Sequence, residues 1–129
     1  MPPISRLYTA AGALQTPSAN VYTLSNATVY YAEFDDVKDR SKIAVHWKYN
    51  ATLIASITIE ASNRYADEVT SYAAVGSGWA TTSATAVSPA ASAGETIAHY
   101  ADMNAARLRA KIDVTTGGTL RGDVNTKGG

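Results

Sequence analysis

Hydrophobic and polar positions alternate most cleanly between Ala106 and Val114. There Leu108, Ala110, Ile112 and Val114 interleave with Arg107, Arg109, Lys111 and Asp113. Successive side chains of a strand point to opposite faces, so this segment predicts a strand with one apolar and one charged face. As a helix, the same residues would scatter around the circumference. The pattern therefore predicts an antiparallel sheet with one side on a core and the other in water. The same period runs through Ile43–Tyr49, with Ile43, Val45, Trp47 and Tyr49 on one side and Ala44, His46 and Lys48 on the other. Leu53–Ser62 repeats it, with Ile57, Ile59 and Ala61 facing in.

Turn signals divide the rest. Val21–Leu24 and Thr28–Phe34 are rich in Val and Tyr, and Ser25-Asn26 between them predicts a hairpin. Thr116-Gly117-Gly118 predicts a second tight turn, its glycines supplying positive φ, with Thr119–Asn125 returning antiparallel. Asn50-Ala51-Thr52 reads as a turn, residues 35–41 as a charged loop, Glu95–His99 as a short strand and Asp102-Met103-Asn104 as a corner. From Asn63 to Gly94 the pattern fades. Gly76-Ser77-Gly78 marks a turn before Trp79, any helix over Arg64–Ser71 is kept short by Thr70 and Ser71, and Thr81–Ala93 suits short edge strands and loops. Residues 1–20 read as an N-terminal arm or first edge strand, and residues 21–129 as the sandwich domain. The expected fold is all-β: a single antiparallel β-sandwich, jelly-roll-like, with an extended N-terminal arm. Nothing recurs at a fixed period, which argues against a solenoid or propeller.

Composition narrows the partners. At 129 residues the chain is one domain, long enough to bury roughly two-thirds of its unfolded surface. Eleven basic residues balance eleven acidic ones, so no net field steers it toward nucleic acid or an anionic membrane. Charged residues are 17% of the chain, below the usual quarter or so. Such a surface suits a protein packed beside neighbours. The absence of cysteine excludes thiol catalysis and cysteine-based zinc sites. The Met1–Arg6 segment has no basic region followed by an apolar one, so no signal peptide is expected. No apolar run approaches the ~20 residues that span a bilayer.

Candidate chemistry is sparse. His46 and His99 each stand alone, and Asp35, Asp36 and Asp39 lack the glycine and closing glutamate of a calcium loop. Val75–Trp79 lacks the glycine spacing of a nucleophile elbow, and no Lys-Ser/Thr follows Gly117-Gly118 as a phosphate loop requires. No enzyme activity, cofactor or metal is expected. Arg121-Gly122-Asp123 falls inside a predicted strand, and the sequons at Asn26 and Asn50 read as turn residues. The aromatics weigh more: eight Tyr, two Trp and one Phe. Trp47 and Trp79 suit the core. Tyr30 and Phe34 share a strand face with Ala32, and Tyr31 takes the opposite face with Val29. They cannot all reach one core, so at least one set is expected at the surface, as a subunit contact or a sugar-stacking platform.

The string Ser56-Ile57-Thr58-Ile59-Glu60-Ala61-Ser62-Asn63, then Trp79, then Tyr100–Thr115 with its Arg107-Leu108-Arg109 core, then Gly117-Gly118, forms a pattern covering about residues 43–125. It resembles small β-sandwich proteins of tailed-phage virions and, more distantly, discoidin-like jelly rolls. The chain departs from the discoidin pattern at Asn63-Arg64-Tyr65, where the usual Asp-Gly turn is missing, and at Leu108, where a Tyr-Val-Arg triplet is frequent. The resemblance implies a non-enzymatic virion structural protein, foremost a capsid decoration (cement) protein on the outside of a phage head. Its partners would be the major capsid protein or other virion subunits, its own state a trimer or dimer, and its assembly site the host cytoplasm. On that reading Ile4, Leu7, Tyr8, Leu14, Tyr22, Tyr30 and Phe34 form protein interfaces. The alternatives are a tail, neck or fibre-associated virion protein, and a carbohydrate-binding module in which Tyr30, Phe34 or Trp79 stacks on sugar rings.

Overall fold

A computed structural model describes residues 2–35, 42–62, 80–82, 86–101 and 107–127. Among them nine strands form two antiparallel sheets. They are β1 (Arg6–Thr9), β2 (Tyr22–Leu24), β3 (Val29–Phe34), β4 (Lys42–Tyr49), β5 (Ile54–Ser62), β6 (Ala80–Thr81), β7 (Gly94–Ala101), β8 (Arg107–Thr116) and β9 (Gly118–Lys127). One sheet has five strands in the order β1-β3-β8-β5-β6, the other four in the order β2-β9-β4-β7. This is the expected all-β antiparallel sandwich. Apart from β5 and β6, every step along the chain crosses from one sheet to the other, which gives the jelly-roll character.

That crossing corrects both predicted hairpins. β2 pairs with β9 while β3 pairs with β1 and β8, so Ser25-Asn26 turns between sheets. β8 and β9 likewise belong to different sheets. Neither Gly117 nor Gly118 uses a positive φ. Their need for glycine is one of space: a Cβ on Gly117 would collide with the Leu24 carbonyl oxygen, and one on Gly118 with Asn50 Oδ1 and the Leu53 amide. The tight crossing is pinned from both sides. Gly117 N–H donates to Asn26 Oδ1 at 2.6 Å, and Thr119 N–H donates to Asn50 Oδ1 at 3.2 Å. A turn signal in sequence marks a reversal of direction and carries no information about which sheet receives the next strand.

The period-two segments place their side chains as expected. Leu108, Ala110, Ile112 and Val114 are buried, as are Ile43, Val45 and Trp47, and Ile57 and Ile59. Together with Leu7, Tyr30, Phe34, Leu120 and Val124 they fill the space between the sheets. At ~25 cal/mol per Å² of apolar surface, this layer is the main force holding the sandwich closed.

The N-terminal residues are built into the sandwich as an edge strand. Ile4 N–H donates to the Gly122 carbonyl and Val124 N–H to that of Pro2, extending the line of β2 along β9. Two residues later β1 joins the other sheet beside β3. After β1 the chain reverses at Gly12, which has φ of 92°, a conformation that favours glycine. It then doubles back so that Gln15 N–H donates to the Leu7 carbonyl and Leu14 bridges Tyr8. The Asp36–Ser41 stretch of the charged loop, the Arg64–Ser71 and Gly76–Trp79 segments and the Asp102–Asn104 corner lie outside the described residues.

Candidate functional site

Each sheet has an outward face, and the two differ in what stands on them. On the four-stranded sheet, cross-strand register sets side chains in rows. His46 of β4 lies between Ile97 of β7 and Asp123 of β9, and Lys48 lies between Glu95 and Arg121. These outward positions alternate with the inward Ile43, Val45 and Trp47, so the strand period that builds the core also presents the polar set. His46, Lys48, Glu95, Arg121 and Asp123 line an open depression of about 270 Å³. Within it His46 Nε2–H donates to Glu95 Oε2 at 2.9 Å, and Lys48 Nζ stands 3.6 Å from Glu95 Oε1. Arg121 Nε–H donates to Asp123 Oδ2 at 2.9 Å. The hydrogen bond from His46, and then the Lys48 charge, hold the Glu95 carboxyl below the usual range. Asp123 holds the Arg121 guanidinium firmly protonated. The depression therefore offers fixed donors and acceptors side by side, reachable from solvent. Ile97, 57% exposed, supplies an apolar ridge next to it.

The outward face of the five-stranded sheet is closed. Register aligns Arg6, Glu33, Arg109 and Glu60 across β1, β3, β8 and β5, a row of alternating charge. Arg109 is fully buried. Its Nε–H donates to Glu60 Oε1 at 2.8 Å and its guanidinium lies 4.0 Å from the centre of the Tyr31 ring. Tyr31 stacks on Tyr8 with ring centres 5.7 Å apart. The Tyr8 hydroxyl donates to Glu33 Oε1 at 2.9 Å and accepts from Arg109. Glu33 also accepts from Arg6 and Arg107. Burial penalises the Glu33 carboxylate, but its donors Arg6 and Tyr8 together with the arginine charges win and its pKa is lowered. Burial pushes the Tyr8 phenol up to about 12, against the opposing hydrogen bond from Arg109. This face was expected to be wet; cross-strand pairing of opposite charges and aromatic cover make it a second, polar core.

The residues expected at protein interfaces are redistributed accordingly. Ile4, Leu7, Tyr22, Tyr30 and Phe34 are buried between the sheets, and Tyr8 is buried under the charged face; of the set, only Leu14 is exposed. Hydrophobic burial within the chain itself uses up the surface they would have offered a partner. The same finding corrects the expectation that one of the Tyr30/Phe34 and Tyr31 sets is at the surface. Phe34 packs edge-on to Trp47 at 6.1 Å, and Tyr31 lies under Arg109. Tyr30 and Phe34 are thus withdrawn as sugar platforms, and Trp79 lies outside the described residues. The sequence pattern alone does not bring Glu95, Arg121 and Asp123 together. The one local signal was the i, i+2 spacing of Arg121 and Asp123, which puts opposite charges on one strand face. Among the described residues, no group of three or more His, Asp or Glu stands where it would hold a metal ion.

Fold and site together define a two-sheet antiparallel sandwich with one polar open face. Among solved structures, the N-terminal cellulose-binding domain of β-1,4-glucanase C from Cellulomonas fimi matches with a TM-score of 0.54 and 6% identity, over 95% of this chain and 88% of that one. A second, described by the words "CBM4 structure and function", matches with a TM-score of 0.53 and 6% identity, over 95% and 94%. At such identity the likeness is one of fold. No family model matches the sequence, and no curated protein matches it.

Proposed function

We propose that the protein is a non-enzymatic carbohydrate-binding β-sandwich module that lays a glycan chain across the outward face of its four-stranded sheet. The observation that carries this reading is the open depression in which His46, Lys48 and Arg121 stand beside Glu95 and Asp123. Sugar hydroxyls both donate and accept, and a face with both kinds of group already oriented loses little entropy on binding them. Ile97 and the Lys48 stem offer apolar surface to sugar C–H groups. The likeness of the fold to a cellulose-binding domain adds support. No Tyr, Trp or Phe side chain stands on this face among the described residues, which favours a single hydrated chain over the flat surface of a crystalline polymer.

The test is a calorimetric and NMR titration against neutral and acidic oligosaccharides. Binding between about 1 µM and 1 mM is expected for at least one of them. Shifts should centre on His46, Glu95 and Arg121, and Arg121→Ala should weaken binding about tenfold. A folded protein that binds none of them at millimolar concentration ends the proposal. Co-sedimentation with phage heads would then decide for the decoration reading, which rests on the sequence resemblance over about residues 43–125.

A further inference from the structure

Three of the four sheet edges are dealt with within the chain. β1 is covered where Leu14 and Gln15 double back along it. β2 is three residues long and is continued by Pro2–Ile4 along β9. β5 is flanked by β6 and then by Val87, which exchanges hydrogen bonds with Ile57, and Pro89, whose carbonyl accepts from the Ala55 N–H. β7 is different. It is eight residues long and pairs with β4 on one side, and among the described residues nothing pairs with it on the other. Along that side runs an open groove of about 410 Å³, lined by Thr96–Tyr100 and by Val87 and Ser88. Long unpaired edges are templates for another strand, and proteins usually block them with charge, proline or a bulge. β7 carries a single charge, Glu95 near its start, and no proline, lysine or arginine.

Its outward side chains say which strand fits. Glu95, Ile97 and His99 alternate along the exposed face, with Ile97 at the centre. We infer that β7 is a self-recognition edge, through which two copies of this chain pair antiparallel about a two-fold axis at Ile97. In that register Ile97 meets Ile97 of the partner subunit, and Glu95 lies opposite His99 of the partner subunit on both sides of the axis. Directly facing cross-strand positions interact, and this register sets the Glu95 carboxylate, an acceptor, opposite the imidazole of His99, which can donate, on either side of an apolar pair. Among the described residues, His46 and Lys48 approach Glu95 from β4, on the side away from the free edge. The contact is isologous and closes on itself, so it yields a dimer rather than a fibre. The two four-stranded sheets become one, and their depressions come to lie on a single continuous face.

The absence of cysteine makes the test clean. Facing residues of an antiparallel pair have Cα atoms about 4.5–5.5 Å apart, within disulfide reach. Ile97→Cys, oxidised mildly, should therefore give a covalent dimer at least about tenfold faster than Thr23→Cys, an exposed position on the far strand of the same sheet. By light scattering the native chain should dimerise with rising concentration. Ile97→Lys, which sets two like charges on the axis, should remain a monomer with an unchanged circular dichroism spectrum. Three results would each overturn the inference: a native chain still monomeric at about 1 mM, equal crosslinking rates for the two cysteine variants, or a dimer that survives Ile97→Lys. Mass and crosslinking are read without any sugar, so the outcome is independent of the glycan reading.

Discussion

The two outward faces of the sandwich carry similar chemistry and use it in opposite ways. Both present arginine beside carboxylate on a strand pattern that alternates with a buried apolar face. On the five-stranded sheet the Arg109 side chain is fully buried and that of Glu60 11% exposed. On the four-stranded sheet the His46 and Glu95 side chains are 33% and 53% exposed. The difference lies in what surrounds each pair. Tyr8 and Tyr31 roof the first, while the second is edged by the exposed Ile97. An ion pair taken out of water is costly to break, because the survivor keeps its desolvation penalty, whereas a wet pair is worth little. Alternation along a strand thus reports which way a side chain points, and its neighbours across the sheet decide whether it is wet.

The largest effect should come from breaking the closed face. Arg109→Ala strands the Glu60 carboxylate, removes the cation over Tyr31 and takes a donor from the Tyr8 hydroxyl. A loss of about 3–5 kcal/mol is expected, measured by urea denaturation. Arg109→Lys keeps the charge without the planar fork and should fall between the native chain and the alanine variant. A loss under about 1 kcal/mol for the alanine variant would mean that this face behaves like an exposed one.

The pH dependence of stability sharpens the contrast from both ends of the scale. Glu33 has a lowered pKa in the folded chain, so the unfolded chain binds its proton first. Its stabilisation is present above the ordinary glutamate value of 4.5 and is lost as pH falls below it. Tyr8 acts in the other sense. Burial raises its phenol from 10.0 to about 12, so its contribution holds below pH 10.0 and is lost as pH rises toward 12. Glu33→Gln should cost about 1–3 kcal/mol at neutral pH and flatten the acid limb. Tyr8→Phe should flatten the alkaline one. Denaturant midpoints between pH 2 and 12, read against the native profile, check both; an unchanged acid limb in Glu33→Gln would show that the Arg6 and Arg107 contacts are worth little.

The core was readable from the sequence because it needs only direction. Period two in Ile43–Tyr49 and Arg107–Val114 assigns Val45, Trp47, Leu108 and Ile112 to the interior, and all four are buried. Pairing was not readable. Ser25-Asn26 and Gly117-Gly118 are good turns that cross between sheets, and no local feature separates such a crossing from a hairpin. Tyr31 shows the consequence. It belongs to one of the two aromatic sets of β3 of which at least one is expected at the surface, yet it sits in a row with Tyr8 and beneath Arg109, from strands 23 and 78 positions away in sequence. The open depression was half visible. His46 and Lys48 stood on the polar side of a recognised strand, but Glu95 and Asp123 reach them through register alone.

The smallest effects on stability are expected on the open face, where the same reasoning predicts a large effect on something else. His46→Ala removes the donor to Glu95, and Arg121→Ala removes the donor to Asp123. Glu95, 53% exposed, is already in water and can be solvated at little cost, whereas Asp123, 14% exposed, keeps part of its desolvation penalty. The thermal midpoint of His46→Ala should lie within about 2 °C of the native value, and that of Arg121→Ala a few degrees below it. Glycan binding should nevertheless fall, because the lost group was an oriented donor at the surface and water restores its partner's solvation without restoring its geometry. A scan of melting temperature beside a titration of the same samples separates the two quantities. If His46→Ala melts several degrees early, this face also contributes to holding the sandwich together, and the division between a structural face and a recognising one fails at that position.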